Sequence, residues 1–235
     1  NSPETLIYHK SKVLYGLNFA KNDIGKEGMC YIVEGYTDVI SMHQNGIENV
    51  VSASGTALAL EQIKLINRLA QNVVLLFDGD NAGIKATYKS INMILNEGMN
   101  VKIVAFPEGD DPDSFSKKLS TKEFKKFLTT EARDFIDYKI TVSKLKEADD
   151  PTKITTIKRD IIKSISCIPD SLNRSQYCKT YSKKLDIAEE VLLSEVAKAR
   201  ASINTFEPSI VRSEAISQPQ KKKQEKLNTT TKLLK

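Results

Sequence analysis

Between Met29 and Phe106 the chain alternates two kinds of apolar spacing. Short continuous runs, MCYIV, NVVSA, NVVLLF and VKIVAF, are separated by segments whose apolar positions return every three or four residues. In GTALALEQIKLINRLAQ, Ile63, Ile66, Leu69 and Ala70 share one helical face; in NAGIKATYKSINMILNEG, Ile84, Tyr88, Ile91 and Leu95 do the same. EGYTDVISMHQNG fills the first interval. These periods predict strands and helices in alternation. Three βα units and a fourth strand predict a parallel sheet with helices on its faces, because each return to the same edge needs a long crossover. The runs are continuous rather than alternating, as expected of strands buried on both sides.

After Phe106 the pattern changes. PEGDDPDSF reads as a loop, and from about Ser120 to Ala201 only helical period is present. Asp150-Pro151 supplies a capping carboxylate and a proline at the first helical position, followed by Ile154, Ile157, Ile161, Ile165 and Ile168 at spacings of three and four. In LDIAEEVLLSEVAKA, Asp186 and Glu189 stand like a capping box ahead of Val191, Leu192 and Val196. The expected fold class is α/β: a leading segment over 1–27, a parallel sheet flanked by helices over 28–115, a small helical bundle over 116–205, and a basic linker or disordered tail over 206–235.

Composition narrows the class. With 235 residues and 40% apolar content the chain buries a real core. The longest apolar run, Val73 to Phe77, is far too short for a membrane span, and the first residues show no secretory pattern, so no membrane partner and a cytoplasmic location are expected. Cys30, Cys167, Cys178, His9 and His43 are scattered without a C-x-x-C, which argues against a disulfide framework or a structural zinc and predicts free, buried thiols. The net charge of +5 lies wholly from Arg212 onward; residues 1–211 balance 28 basic against 28 acidic side chains. The aromatic-free end, SEAISQPQKKKQEKLNTTTKLLK, reads as a linker more readily than as a nucleic-acid arm.

The acids, in contrast, are placed. Glu34 follows the first strand, Asp78 and Asp80 follow the third, and Asp111 and Asp113 lie in the loop that leaves the fourth. Parallel strands all end at one edge, so these groups converge where open α/β sheets bind ligands. Two charges about 4 Å apart repel by roughly 4 kcal/mol at an effective dielectric near 20, so a cluster must protonate or recruit cations. No basic residue lies between Leu75 and Ile84, and oxygen-only donors select Mg²⁺ or Mn²⁺ over zinc. Two such ions, about 3.5 to 4 Å apart, suit phosphoryl transfer. Each acid also has a plainer reading. D-G-D can cap the next helix, Glu34 can be a solvated charge, and Asp111 and Asp113 can be a turn around Pro112. Asp38, one turn after Glu34 on the same side, can be a ligand or a first-turn acid favoured by the helix dipole. Convergence on one edge favours the cluster.

The motifs E-G-Y-T-D-V (34–39), S-G-T (54–56), D-G-D-N-A-G (78–83) and G-D-D-P-D (109–113) resemble the Toprim domain of bacterial replicative DNA primases of the DnaG type. N-S-P-E-T-L-I-Y-H-K-S-K-V-L-Y-G-L at 1–17 is similar to the segment leading into that domain, and Y-C-K-T-Y-S-K-K-L-D-I-A-E-E-V-L to the last helices of the primase polymerase core. The resemblance spans roughly residues 1–205. It implies synthesis of short RNA primers on single-stranded DNA from ribonucleoside triphosphates, through an RNA–DNA primer duplex, with two or more Mg²⁺ or Mn²⁺ ions. By motif, Glu34, Asp78 and Asp80 are the central metal acids, with Asp38, Asp111 and Asp113 completing the cluster. Lys10 and Lys12, on composition alone solvated lysines, match basic positions near nucleotide phosphates or template. Gly35, Gly55 and Gly79 permit tight turns beside the site. Leu6, Thr37 and Ser54 depart from the family's usual residues, and none removes a charge.

Such primases also carry an N-terminal zinc module, a first half of the polymerase core, and a C-terminal domain that binds the replicative helicase. Their motifs are not in this sequence, so it reads as a middle fragment, expected to bind metal but to make little primer alone. Toprim topoisomerases and nucleases are the rival class. The topoisomerases need a nucleophilic tyrosine in a separate domain, and nothing marks any of the eight tyrosines here as one. A non-enzymatic rival is a scaffold that docks the helicase or holds DNA, its acids being solvated.

Overall fold

The computed structural model describes residues 3–6, 8–53, 57–77, 81–107 and 109–214, with the side chains of 81, 82 and 204–214 outside that description. The chain divides into two units, 1–200 and 201–235. Of the second, residues 201–214 are described and are helical.

A 3₁₀ turn at Lys10–Lys12 and helix α1 (Leu17–Glu27) come first, and α1 occupies the last 11 residues of what the sequence presented only as a leading segment. The expected alternation follows: β1 (Met29–Val33), α2 (Tyr36–Gln44), β2 (Val50–Ser52), α3 (Leu60–Asn67), β3 (Asn72–Phe77), α4 (Asn81–Asn96) and β4 (Asn100–Ala105). The sheet order is β2-β1-β3-β4-β5, with the first four strands parallel. β5 (Arg133–Asp134) pairs antiparallel with β4 at the far edge and had no counterpart in the apolar pattern. Two polar residues carry no period.

Strands β1 and β3 form the centre, and every residue of Cys30–Val33 and Val73–Phe77 is buried. Side chains alternate across the pleat. On one face Tyr31, Val33, Val74, Leu76 and Val104 pack with Val39 and Met42 of α2 and with Phe124 and Leu128 further on. The alternate residues Ile32, Leu75 and Ile103 are equally buried, and α4, burying Ile91, Ile94 and Leu95, packs against β3 and β4. All three cysteines are buried free thiols, and burial raises the pKa of each.

The helical part comprises α5 (Pro112–Ser116), α6 (Thr121–Glu131), α7 (Phe135–Val142), α8 (Pro151–Cys167), α9 (Ser171–Leu185) and α10 (Glu189–Glu214). Its starts are set by side chains that satisfy exposed N–H groups. Asp150 accepts from the Thr152 N–H at 2.8 Å ahead of Pro151, as expected, and Ser120 with Glu123 forms a capping box for α6. Asp186 does not cap α10. It lies in left-handed backbone with φ of 51° and closes α9, its N–H directed to the carbonyls of Lys183 and Ser182, so a residue spent on ending one helix is lost to the next. α10 runs to Glu214, into the stretch expected to be tail; residues 215–235 lie outside the described part.

One buried cation joins the bundle to the sheet. Lys139 of α7 is only 1% exposed, with its Nζ 2.5 Å from Asp160 Oδ2 and 2.7 Å from Ser164 Oγ on α8. Ser164 Oγ bonds Asn92 of α4 at 2.6 Å, and the ammonium lies 4.4 Å from the Tyr88 ring centre. Burial pushes the Lys139 pKa down and the Asp160 carboxylate opposes it. Removing one partner leaves a buried charge uncompensated, whereas replacing the lysine by an apolar chain of similar length does not. Asp160→Ala is therefore expected to cost about 2–3 kcal/mol and Lys139→Met less than about 1 kcal/mol, read by urea unfolding. Equal losses in the two variants would contradict that reading.

Candidate active site

The register brings Val33, Ser52, Leu76 and Ala105 to the same edge of the sheet. From β1 the chain crosses outward to β2, then returns over β1 to β3 on its other side. The topological switch point, where α/β sheets open a crevice, is thus between β1 and β3. A cavity of about 270 Å³ lies there, lined by Val33, Glu34, Ala53, Leu58, Phe77 and Ser90 among others. Glu34 is the exposed carboxylate at its mouth.

The turn that presents Glu34 is held by Asp38, which is buried and accepts the Gly35 N–H at 2.9 Å from the first turn of α2. A Cβ on Gly35 would stand 3.1 Å from that carboxylate and 3.2 Å from Thr37 Oγ1, so glycine lets the backbone close on the acid. Asp38 therefore makes the first-turn bond that its spacing allowed.

Asp111 caps α5, accepting the Ser114 N–H at 2.6 Å, while its own N–H bonds Ser114 Oγ at 3.0 Å. Pro112 follows at the first helical position. Asp113 faces α2, where the hydroxyl of Ser41 donates to it, and its other oxygen is 2.7 Å from Lys117 Nζ. The Lys117 hydrogen bond, and after it that of Ser41, holds the Asp113 carboxyl below its ordinary range. Asp110 is held low in the same way by Lys118, at 2.6 Å, and by Ser114. The loop that leaves β4 is thereby latched to α2, the helix that follows Glu34. Ser41 and Lys117 are the residues sequence reasoning missed. A serine inside an amphipathic helix carries no signal of its own, and the partner of Asp113 is 72 positions distant.

The turn bearing Lys10 and Lys12 is fixed by Gln62 of α3, which is fully buried. Its amide donates to the carbonyls of Lys10 at 3.0 Å and Val13 at 2.7 Å, and its oxygen accepts from the Ala59 N–H at 2.9 Å. Glu4 accepts the Lys10 N–H at 3.0 Å, which lowers its pKa, with His9 adding to the effect. Asp78, Asp80, Gly79, Ser54 and Gly55 lie outside the described residues. Among those described, no three His, Cys, Asp or Glu side chains come together as a metal set.

Residues 31–116 match the family described as Toprim-like, and the edge just described is the edge of that domain. The DNA primase of Clostridium acetobutylicum is 40% identical over 197 residues, which cover 82% of this chain and 32% of the relative. The crystal structure of the Aquifex aeolicus primase, comprising zinc-binding and RNA polymerase domains, is 30% identical with a TM-score of 0.70, covering 82% of this chain and 46% of that one. A DnaG primase catalytic domain bound to single-stranded DNA is 28% identical with a TM-score of 0.67, covering 79% of this chain and 60% of that one. The fold and its acidic edge thus define a Toprim-type α/β domain. The chain belongs to the bacterial DNA primases of the DnaG type, and it spans about a third of the length of the curated relative it matches.

The Asp113 latch has a pH signature. A carboxyl whose pKa is lowered on folding adds stability above its unfolded value, near 3.9, and loses it as pH falls through the lowered value. In metal-free buffer Asp113→Asn is expected to cost about 1–2 kcal/mol at pH 7, with the gap to wild type closing as pH falls through the lowered Asp113 value. Urea unfolding across the acid range checks this, and a gap that does not depend on pH contradicts it.

Proposed function

We propose that this chain performs the nucleotidyl-transfer chemistry of DNA-templated RNA primer synthesis as part of a primase catalytic core. The observation that carries the reading is the position of Glu34 at the switch-point crevice of a Toprim-like domain. The donor chemistry fits a hard divalent cation, since the described lining of the crevice offers carboxylate and hydroxyl oxygen without sulfur or imidazole. Glu34, Asp78 and Asp80 would hold Mg²⁺ or Mn²⁺, with Asp38, Asp111 and Asp113 completing the acidic surround. The bound cations would supply polarisation of the α-phosphate of an incoming ribonucleoside triphosphate and of the attacking 3′-hydroxyl.

The chain's own residues do the rest. Asp38 fixes the turn that aims Glu34, and the Ser41–Asp113–Lys117 latch sets the β4 loop against the same helix. Lys10 and Lys12 supply positive charge for nucleotide or template phosphates. Single-stranded DNA is the template partner, supported by the relative solved with single-stranded DNA. An RNA–DNA duplex is the product. Residues 28–115 are the catalytic domain and 116–205 the helical subdomain. Zinc belongs to a separate module of the kind in the Aquifex structure, the replicative helicase to a C-terminal domain, and the setting is the bacterial cytoplasm at the replication fork. Among the described residues no helix is long and apolar enough to cross a membrane.

The test is a calorimetric Mn²⁺ titration of the chain and of Asp80→Asn at matched pH and salt. Two or more sites are expected, weakened about tenfold or more in the variant. Equal or absent binding in both returns D-G-D to a helix-capping turn.

A further inference from the structure

At the far edge of the sheet, two strand spacings or about 10 Å from β3, β5 borders a second concave site. A cavity of about 570 Å³ is bounded there by β5, α7, a short 3₁₀ turn at Leu145–Glu147 and the end of α9. Its volume is that of a small-molecule site. The inner wall is held by its own hydrogen bonds. Asp134 accepts the Ile136 N–H and the Tyr177 hydroxyl, each at 2.9 Å, and Asp137 accepts from Lys184 Nζ at 2.9 Å and from the Tyr181 hydroxyl at 3.2 Å. These two acids are occupied from within, and the same bonds fix α9 to α7.

The rim differs from the wall. Arg133, Lys144 and Lys146 line it together with Glu147, and Arg133 has only an exposed contact with Glu131 at 3.2 Å, which binds it weakly. Buried Leu145 anchors the turn and leaves Lys144 and Lys146 exposed on either side of it, and among the described residues neither lysine is paired with a carboxylate. Lys144 is held there against its backbone preference. It stands just past the end of α7 in left-handed backbone, φ 51° and ψ 41°, at a position that helices usually fill with glycine. Asp186, at the same φ, is of a type that tolerates this region; lysine is not. A strained side chain kept at the rim of a cavity points to use of its charge. We propose that this cavity binds a small polyphosphate anion, with Arg133, Lys144 and Lys146 on its oxygens, a chemistry that a nucleoside triphosphate and inorganic pyrophosphate share. The cations surround one concavity instead of lining an extended groove, which suits a compact anion better than a strand of nucleic acid. The site uses none of the acids at the crevice and stands even if those bind no metal.

The test is calorimetric titration of the chain with ATP and with pyrophosphate, in EDTA and at low salt, so that no divalent ion bridges either ligand to the crevice. Lys146→Gln should weaken binding about tenfold. Lys144→Gly should weaken it as much and yet raise the melting temperature by about 2 °C, because glycine relieves the left-handed backbone. Lys10→Ala with Lys12→Ala should leave it unchanged. Tighter binding of ATP than of pyrophosphate would show that the cavity holds the nucleoside too, and equal affinity would assign recognition to the phosphates alone; both support the proposal. Binding of neither ligand overturns it. So does binding that Lys146→Gln leaves intact, a measurement that decides the matter even if Lys144→Gly fails to fold. Binding abolished by the Lys10 and Lys12 substitutions belongs to the leading segment and is equally fatal. A thymidine oligonucleotide that binds where neither small anion does, and that the same rim variants weaken, makes the cavity a nucleic-acid surface and also overturns the proposal.

Discussion

The parallel pairing of β1 with β3 is the constraint on which the rest of the molecule depends. Both strands are buried on both faces, so a slip by one residue would carry every side chain into the opposite packed layer, where it no longer fits its neighbours. The pairing fixes where each strand ends, with Val33 beside Leu76, and so puts Glu34 and Phe77 at one edge. The crossover order does the remainder. Because β2 lies outside β1 and β4 outside β3, the helices part above the β1–β3 boundary and leave the crevice open there. A site on this edge follows from topology before any side chain is chosen.

Putting several carboxylates near one edge is costly, and the described part shows how the cost is met. Asp38 takes a backbone N–H, Asp111 another, Asp113 a serine hydroxyl and an ammonium, and Asp110 a hydroxyl and an ammonium. Each bond also does structural work. The same carboxylates that make the edge negative start α2 and α5 and join them, so the plainer and the functional readings of Asp38, Asp111 and Asp113 are not exclusive. A first-turn acid that fixes a turn is in place to orient its neighbour.

Much of this was legible in the sequence because it rests on period. The continuous apolar runs located β1 to β4 within a residue or so, and Ile63, Ile66, Ile91 and Leu95 on their predicted helical faces are buried or half-buried as the spacing required. Asp150-Pro151 marked the start of α8 because capping is local chemistry. What was not legible is long-range or aperiodic. β5 is two polar residues held by pairing with β4. Asp186 has the right neighbours for a cap but the wrong backbone, and backbone sign at a non-glycine residue leaves no trace in composition. Ser41, Lys117 and Gln62 act through partners that only the fold supplies. Of the acidic cluster, sequence correctly placed Glu34 at a strand end, but it could not tell that Asp113 is engaged by α2.

Lys139 shows why a costly group persists in such a fold. An apolar residue at that position would pack against Tyr88 and cost nothing in desolvation, yet it would accept many registers between α7, α8 and α4. The ammonium accepts few. It needs Asp160 and Ser164 one turn apart on α8, and Ser164 in turn needs Asn92 on α4, so each helix is fixed in rotation relative to the other two. A sheet that owes its crevice to where helices part gains from a bundle that cannot rotate, since α4 starts at the residues that follow Asp80 and its other end is held by this bond. The polar network thus fixes at the distal end of α4 what β1–β3 pairing fixes at the crevice.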